Sequence, residues 1–322
     1  MSVVHASTSA PGKVIIFGEH AVVYGQPAIA VPLAAVRTVV EARPAASGTG
    51  LVLHALDVGQ RLRVTQETDT AMPWFNALIY PAQLALRALD APIPDLTLTV
   101  RSTIPIASGL GSGAALATAI IRTLGQALGR PFAREPLNAL VYEVEKRHHG
   151  TPSGIDNTVI VYEQPVYFVR GTPPRPFTIA RPFTLLVADS GHPSPTREAV
   201  ADVRTLYEAA PERIGATFER IGQIARQARA AIEAGEIAAL GPLMNANHEA
   251  LRTLDVSSPV LEQLCTAARQ AGALGAKLSG GGRGGNMIAL VSPARVLPVQ
   301  QALRQAGAVR IIETRIAPPP TP

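Results

Sequence analysis

Lysine is nearly missing from this chain. Of 29 basic residues only Lys13, Lys146 and Lys277 are lysine, so arginine holds almost every position where any cation serves. A lysine that remains is a candidate for chemistry, because a compact ammonium is tuned in pKa far more readily than a guanidinium. Cysteine is scarcer still. Cys265 stands alone, which excludes an internal disulfide framework and a thiolate zinc site, and its neighbours Leu261, Leu264 and Ala268 place it on the buried face of a helix. Aromatic residues make up 4%, too few to provide stacking platforms for bases. The arginines behind the net charge of +5 are scattered along the chain, so the positive balance points to small anionic ligands and away from nucleic acid. No apolar run reaches the length of a membrane span. The opening Met-Ser-Val-Val-His-Ala lacks the basic-then-apolar pattern of a signal peptide, and a cytoplasmic location is the expectation. No internal repeat is present.

The 322 residues, 47% of them hydrophobic, suffice for a large core divided between two lobes. In the first third, β-rich stretches at 14–17, 28–31, 36–42, 51–54, 61–64 and 96–101 alternate with turns and read as strands of a mixed sheet. Between them, apolar residues at helical spacing over 74–89 close on Asp90-Ala91-Pro92. A helix is expected from the glycine loop at 105–114 to Leu128, and another over 134–149 with Gly150 as its stop. Residues 151–156 read as a turn and 158–169 as a strand. Proline density at Gly171-Thr172-Pro173-Pro174-Arg175-Pro176 breaks regular structure, which sets the expected lobes at 1–176 and 177–322. Beyond that seam a buried strand at 185–188 precedes helices at 196–209, 212–234, 237–254 and 259–271. Strands at 286–291 and 309–315 flank a helix at 294–306. The fold class is α+β, with a loose tail over 318–322.

Residues 105–114, Pro-Ile-Ala-Ser-Gly-Leu-Gly-Ser-Gly-Ala, run straight into an Ala/Leu/Ile-rich stretch. A helix that begins in a glycine-rich turn aims unpaired N–H groups and the positive end of its dipole at one spot, which suits an anion. Gly109, Gly111 and Gly113 let the backbone turn and approach a ligand, while Ser108 and Ser112 add hydroxyls. The Gly-Lys-Ser/Thr ending of the Walker loop is absent. A lysine therefore comes from elsewhere: Lys13 in Ala10-Pro11-Gly12-Lys13, or Lys277 ahead of the glycine run 280–285 that Arg283 interrupts. Lys146 fits a polar helix face, and Arg283 is expected to point to solvent. Several such segments suit a polyphosphate, whose terminal transfer demands positioning and charge neutralisation.

Two carboxylates stand out as base or metal ligand: Asp156, in the turn Ser153-Gly154-Ile155-Asp156-Asn157, and Glu145, near a helix end. The plain alternatives are a capping residue and a solvated helix face. Glu145 and His149 share a helix face, yet no second ligand pair completes a zinc site, and a helix C-terminus accounts for His148 and His149. Glu19 and His20 are adjacent polar residues in an apolar stretch, and burying them is costly unless they meet partners or a ligand.

These residues resemble the GHMP small-molecule kinases over almost the whole chain. Ala10-Pro11-Gly12-Lys13 through Gly18-Glu19-His20 to Gly25 is similar to the N-terminal motif of the members that phosphorylate mevalonate. Pro105 to Ala115 is similar to the family's ATP loop, Gly150 to Asn157 to its base-carrying turn, and Gly275-Ala276-Lys277-Leu278-Ser279 through Gly285 to its third motif. Galactose-directed members usually carry Asp-Tyr shortly after Glu-His, where this chain has Ala21-Val22-Val23-Tyr24.

The resemblance implies a two-lobed GHMP kinase fold, an N-terminal ribosomal-protein-S5-like lobe that binds ATP and a C-terminal ferredoxin-like lobe. It implies ATP-dependent phosphorylation of the C5 hydroxyl of mevalonate. Carried over residue by residue, Asp156 deprotonates the acceptor hydroxyl and Lys13 keeps that aspartate ionised, while Glu19, His20 and Ser279 surround the acceptor. Pro105, Ser108, Gly109, Leu110, Gly111, Ser112, Gly113 and Ala114 hold ATP, and Glu145 ligates Mg²⁺. The family usually has a second, metal-binding serine where this chain has Gly113, so Glu145 shares the metal with Ser112 or with water. Ser279 stands for the usual threonine, Gly281 for alanine and Asn286 for cysteine. The implied partners are mevalonate and ATP, with no nucleic acid or membrane, and a homodimer. The alternatives are a kinase of the same family acting on another acceptor or hydroxyl, such as the 3-hydroxyl of mevalonate or a sugar, and a non-catalytic sensor of nucleotide or isoprenoid phosphates.

Overall fold

The computed structural model describes residues 4–65, 75–106, 108–149 and 152–318. Trp74, Gly150, Thr151 and the residues after 318 lie outside the described residues, and with them the start of the 74–89 helix, the glycine stop at 150 and most of the tail. The chain divides into two compact units. One comprises Met1–Gly12, Val36–Ile106 and Gly111–Glu163, the other Lys13–Ala35, Ala107–Leu110 and Gln164–Pro322. Strands β1 (Ala6–Phe17) and β2 (Ala28–Pro44) pair with each other and contribute residues to both units.

In the first unit β3 (Leu51–Ala55), β4 (Gln60–Arg63) and β5 (Leu96–Ser102) extend β2 in the order β4-β3-β5-β2, with β3 parallel to β5 and the other pairs antiparallel. Leu96, Leu98 and Val100 are buried and alternate with half-buried threonines, the period of two that a one-sided sheet requires. A π-helical turn, Phe75–Ile79, leads into α1 (Tyr80–Ala88); α2 (Ser112–Ala127), α3 (Arg134–His149) and α4 (Ile155–Tyr162) follow, and the four helices pack on one another. Helix α2 is built from strong helix formers and buried on most of its circumference, from Ala114 to Ala127.

The second unit holds two sheets. Residues Ala28–Ala30 of β2 pair with β6 (Val166–Phe168), and β6 with β7 (Arg175–Pro176). The other sheet starts at β8 (Phe183–Asp189), continues through helices α5 (Thr196–Ala209), α6 (Pro211–Ala234), α7 (Ile237–Thr253) and α8 (Pro259–Gln270) to β9 (Gly275–Ser279) and β10 (Asn286–Val291), and closes with α9 (Val296–Gln305) and β11 (Arg310–Ile316). Its order β11-β8-β10-β9, antiparallel throughout, is the ferredoxin-like arrangement. Leu186, Phe218, Leu251, Leu264 and Met287 lie in one continuous core, together with Cys265 as its position in the sequence suggests. Among the described residues no helix is long and apolar enough to cross a membrane.

Three readings of the sequence are corrected. Residues 158–162 are helix α4, and only 166–168 form a strand. Val159-Ile160-Val161 is an apolar run that periodicity cannot assign. The helix prevails because the run is buried against α2 and α3, where a helix satisfies its own backbone polar groups. Gly12-Lys13 lies inside β1, which begins at Ala6 and not at Val14. Strand β9 was not anticipated: Gly275, Ala276, Lys277 and Ser279 have low β-propensity, yet the strand sits so close to α7 that a Cβ on Gly275 would fall 2.2 Å from Gly241 O.

Candidate active site

Gly111 opens α2 from the left-handed region at φ 76°, and no side chain caps the helix. Ala115 is the first residue whose N–H meets a carbonyl of the same turn, Gly111 O at 3.0 Å. The N–H groups of Ser112, Gly113 and Ala114 have no intrahelical acceptor, and their shared direction is that of an anion site. Gly109, also left-handed at φ 75°, has no atom of the described residues within 4 Å of where a Cβ would stand. The preceding residues are tied down within the second unit: Lys13 N donates to Leu110 O at 2.9 Å and Asn286 Nδ2 to Ser108 O at 2.5 Å. Asn286, in the place of a family cysteine, thus anchors the loop by its side-chain amide. Pro105 is half-buried in the first unit.

Glu145 is no solvated helix residue. Its side chain is buried in α3, and a Cβ on Gly113 would lie 3.5 Å from its Oε1, which sets the carboxylate beside the first turn of α2. A carboxylate and the neighbouring Ser112 hydroxyl are hard oxygen donors of the kind Mg²⁺ takes when phosphates supply the rest of its shell. Among the described residues no group of three or more His, Cys, Asp or Glu side chains could hold a metal by itself. Asp156 lies half-buried in the first turn of α4, entered through Gly154 at φ 89°. It belongs to a helix start and not to the free turn read from the sequence.

The second unit brings Lys13, Glu19, His20 and Ser279 together, all buried. Ser279 Oγ donates to Ile15 O at 2.7 Å, fastening the end of β9 to β1. His20 occupies φ 59°, ψ −51°, and Ala21 N donates to Glu19 O at 2.6 Å across it. This is the strained γ-turn, a conformation that persists only where its surroundings enforce it. Gly18 before it, at φ 97°, passes so near β2 that a Cβ would lie 2.3 Å from Pro27 O. Tyr24 after it stacks on Phe218 with ring centroids 4.1 Å apart. The imidazole Nε2 lies 3.0 Å from Gly281 O; because a carbonyl only accepts, that nitrogen carries the proton and Nδ1 the lone pair.

Burial sets the electrostatics here. It holds the His20 pKa down at about 4 against the pull of the Gly281 carbonyl, with the Arg283 and Lys277 charges adding to the depression. His248 in α7 is likewise lowered to about 4 by burial, against the attraction of Glu262. Its Nδ1 accepts from Leu278 N at 3.3 Å and its Nε2 lies 3.1 Å from Glu262 Oε1. Both rings are neutral near pH 7. The unfolded imidazoles titrate at the model value of 6.5, so below that pH the unfolded state binds the extra protons and stability falls until the folded rings titrate. A shift of this size is worth about 3 kcal/mol per ring at its limit. The melting temperature is therefore expected to drop between pH 6.5 and 4, and to drop less in His248→Asn, whose amide oxygen still accepts from Leu278 N–H. Thermal melts of the two proteins across this range check it; parallel curves would contradict the assignment.

Two cations were read differently from the sequence. Arg283 is not simply solvent-facing: its guanidinium bonds the Asp202 carboxylate, donates to Asp255 O at 3.2 Å and lies 3.7 Å from Asp255 Oδ2, holding a left-handed residue at φ 59° in the glycine loop. Lys277 is wholly buried and paired with Glu19. The rarity of lysine marked it, but its partner is 258 residues away in sequence. Lys146 sits exposed on a helix face, 2.7 Å from Glu143, as read. Lys13 and Asp156 belong to different units, as do the two halves of the glycine loop, 108–110 and 111–114.

The chain matches the GHMP kinases N terminal domain over residues 77–164 and the GHMP kinases C terminal domain over residues 228–309. A mevalonate kinase of Pyrococcus horikoshii is 37% identical over 325 residues, covering 96% of this chain and 95% of the relative. Among solved structures, a mevalonate kinase of Methanococcus jannaschii superposes with a TM-score of 0.87 at 25% identity over 97% of this chain and 98% of that one. The L. major mevalonate kinase in complex with R-mevalonate gives a TM-score of 0.84 at 29% identity over 98% and 97%.

Proposed function

Because the chain belongs to the GHMP kinase family and has mevalonate kinases among its full-length relatives, we propose that it transfers the terminal phosphoryl group of ATP to the C5 hydroxyl of mevalonate. The observation that carries this reading is the buried set Lys13, Glu19, His20 and Ser279 in one unit, with a strained histidine turn at its centre. An alcohol is a weak nucleophile at neutral pH, so a base must take its proton as the O–P bond forms. Asp156 is that base, and the Lys13 ammonium favours both the carboxylate and the developing alkoxide. Glu19, His20 and Ser279 orient the acceptor, which spares the entropy of alignment. The N–H groups from Gly109 to Ala114 and the hydroxyls of Ser108 and Ser112 receive the phosphates, with Pro105 shaping the entry to the loop. Mg²⁺, held by Glu145 and by Ser112 or water, supplies charge neutralisation on the phosphates when bound.

An ADP-release assay with mevalonate, its 3-hydroxyl-only analogue and a panel of sugars tests the reading. Release with mevalonate and formation of the 5-phosphate support it, whereas release only with a sugar would move the acceptor assignment within the family. Ligand binding without any turnover would leave the sensor alternative. The reading also places the protein in the cytoplasm, as a homodimer that takes small-molecule substrates only.

At Gly113 the family serine is missing, but the space for it exists, since among the described residues a Cβ there meets only Glu145 Oε1 at 3.5 Å. Gly113→Ser is expected to lower the Mg²⁺ concentration for half-maximal activity about three- to tenfold, an added ligand being worth roughly 1 kcal/mol. An unchanged Mg²⁺ titration would show that water already fills that place.

A further inference from the structure

Glu19 and Lys277 form an ion pair in which neither side chain has any exposed surface. The Lys277 ammonium donates to Glu19 Oε1 and, at 2.6 Å, to the carbonyl of Leu278. Among the described residues no donor reaches hydrogen-bond geometry at Glu19 Oε2, which is equally buried. A buried carboxylate oxygen without a donor is costly, and a chain that retains one at the centre of its polar cluster has kept an acceptor waiting for a ligand proton. Beside it, the neutral His20 ring directs Nε2–H at Gly281 O and keeps the Nδ1 lone pair. Two adjacent residues therefore each offer an acceptor and no donor. That pairing suits the O–H of an alcohol and repels a carboxylate.

We propose that Lys277 is a positioning residue: by claiming Oε1 of Glu19 it fixes the carboxylate so that Oε2 is left to receive a hydroxyl of the phosphoryl acceptor. The inference rests on the acceptor assignment of Glu19 made under the proposed function and adds what orients it. Lysine is required because a single mobile ammonium, carried by the central residue of β9 and fully buried, reaches both the carboxylate and the Leu278 carbonyl. Burial works against both charges, pushing the Glu19 carboxyl up and the Lys277 ammonium down, while each charge opposes the shift of the other.

The test compares Glu19→Gln, Lys277→Met and the double variant in steady-state kinetics with mevalonate and ATP varied separately. In Glu19→Gln, Lys277 must still face an acceptor, so it takes the amide oxygen and turns the NH₂ group toward the substrate; KM for mevalonate is expected to rise at least tenfold, with KM for ATP within about twofold of wild type. Lys277→Met is expected to raise KM for mevalonate similarly. In the double variant the amide is free to invert, with the vacated Leu278 carbonyl as partner for its NH₂ group, and KM for mevalonate is expected to fall back below that of Glu19→Gln. A purely structural role predicts the reverse, additive damage with both substrates affected alike, and that result overturns the proposal, as does a wild-type KM in Lys277→Met. If Lys277→Met does not fold, the double variant, which buries no charge at this position, carries the decision alone through the same comparison. Failure of the mevalonate reading shows separately, in the wild-type protein. If another alcohol is turned over, that alcohol replaces mevalonate in the comparison, and if none is turned over the inference falls with the reading.

Discussion

Asp156→Asn is expected to lower kcat by about 10²–10⁴, the usual worth of a positioned general base, while KM for ATP stays within about twofold. The two side chains are nearly isosteric, and both are tolerated in the first turn of a helix, so α4 and the packing of Ile155 and Val159 remain. What disappears is the ability to take a proton from the acceptor hydroxyl. Under the proposed function the phosphates are received instead by the loop ahead of α2 and by its first turn, which the substitution does not touch. Single-turnover measurements with ATP and mevalonate separate the chemical step from product release. A kcat within about threefold of wild type would remove Asp156 from proton transfer. A raised KM for ATP at unchanged kcat would instead assign it to nucleotide binding.

The second large effect concerns the backbone. Gly18→Ala is expected to destabilise the protein by about 4 kcal/mol or more, the range reserved for strain and overpacking that cannot relax. A residue with a Cβ is strained at φ 97°, and the added carbon would lie 2.3 Å from Pro27 O and 2.4 Å from Ala28 Cα. These obstacles are backbone atoms next to and within β2, so no rotamer change relieves them. The residue stands directly before Glu19 and His20, and a shift large enough to admit the methyl group would displace both. Denaturant unfolding measures the loss. A midpoint equal to wild type would show that this turn is softer than its contacts imply, whereas Gly109→Ala, where no atom of the described residues lies within 4 Å of the added Cβ, serves as the control that pays only for the left-handed φ.

Helix α2 and its glycine loop were legible because local chemistry decides them: glycines supply left-handed turns, and alanine and leucine supply the helix. The helices of the second unit were legible for a related reason. Their apolar residues recur at helical spacing, and prolines or glycines mark several ends, such as Pro211 and Gly235 around α6. Where a segment is buried on every side, that signal vanishes. Val159-Ile160-Val161 reads equally well as strand or helix, and its packing among α2 and α3 made the choice. Strand β9 was hidden for the opposite reason, since its residues are poor strand formers held by backbone pairing to β10 and by the close approach of α7.

At the site the same division holds. The sequence alone singled out the candidates for chemistry: Lys13, Glu19, His20, Glu145, Asp156 and Ser279 are each marked by residue type, glycine neighbours or isolation in an apolar stretch. It pointed too to small anionic ligands, because the arginines are scattered along the chain and aromatic residues are few. Only the tertiary structure decided who pairs with whom. That Lys277 meets Glu19, that Asn286 holds the Ser108 carbonyl, that Arg283 is tied to two aspartates and that His20 sits in a strained turn all follow from strands and helices far apart in the chain being packed together. Hydrogen bonds and ion pairs act over a few ångströms, and sequence separation carries no record of such distances.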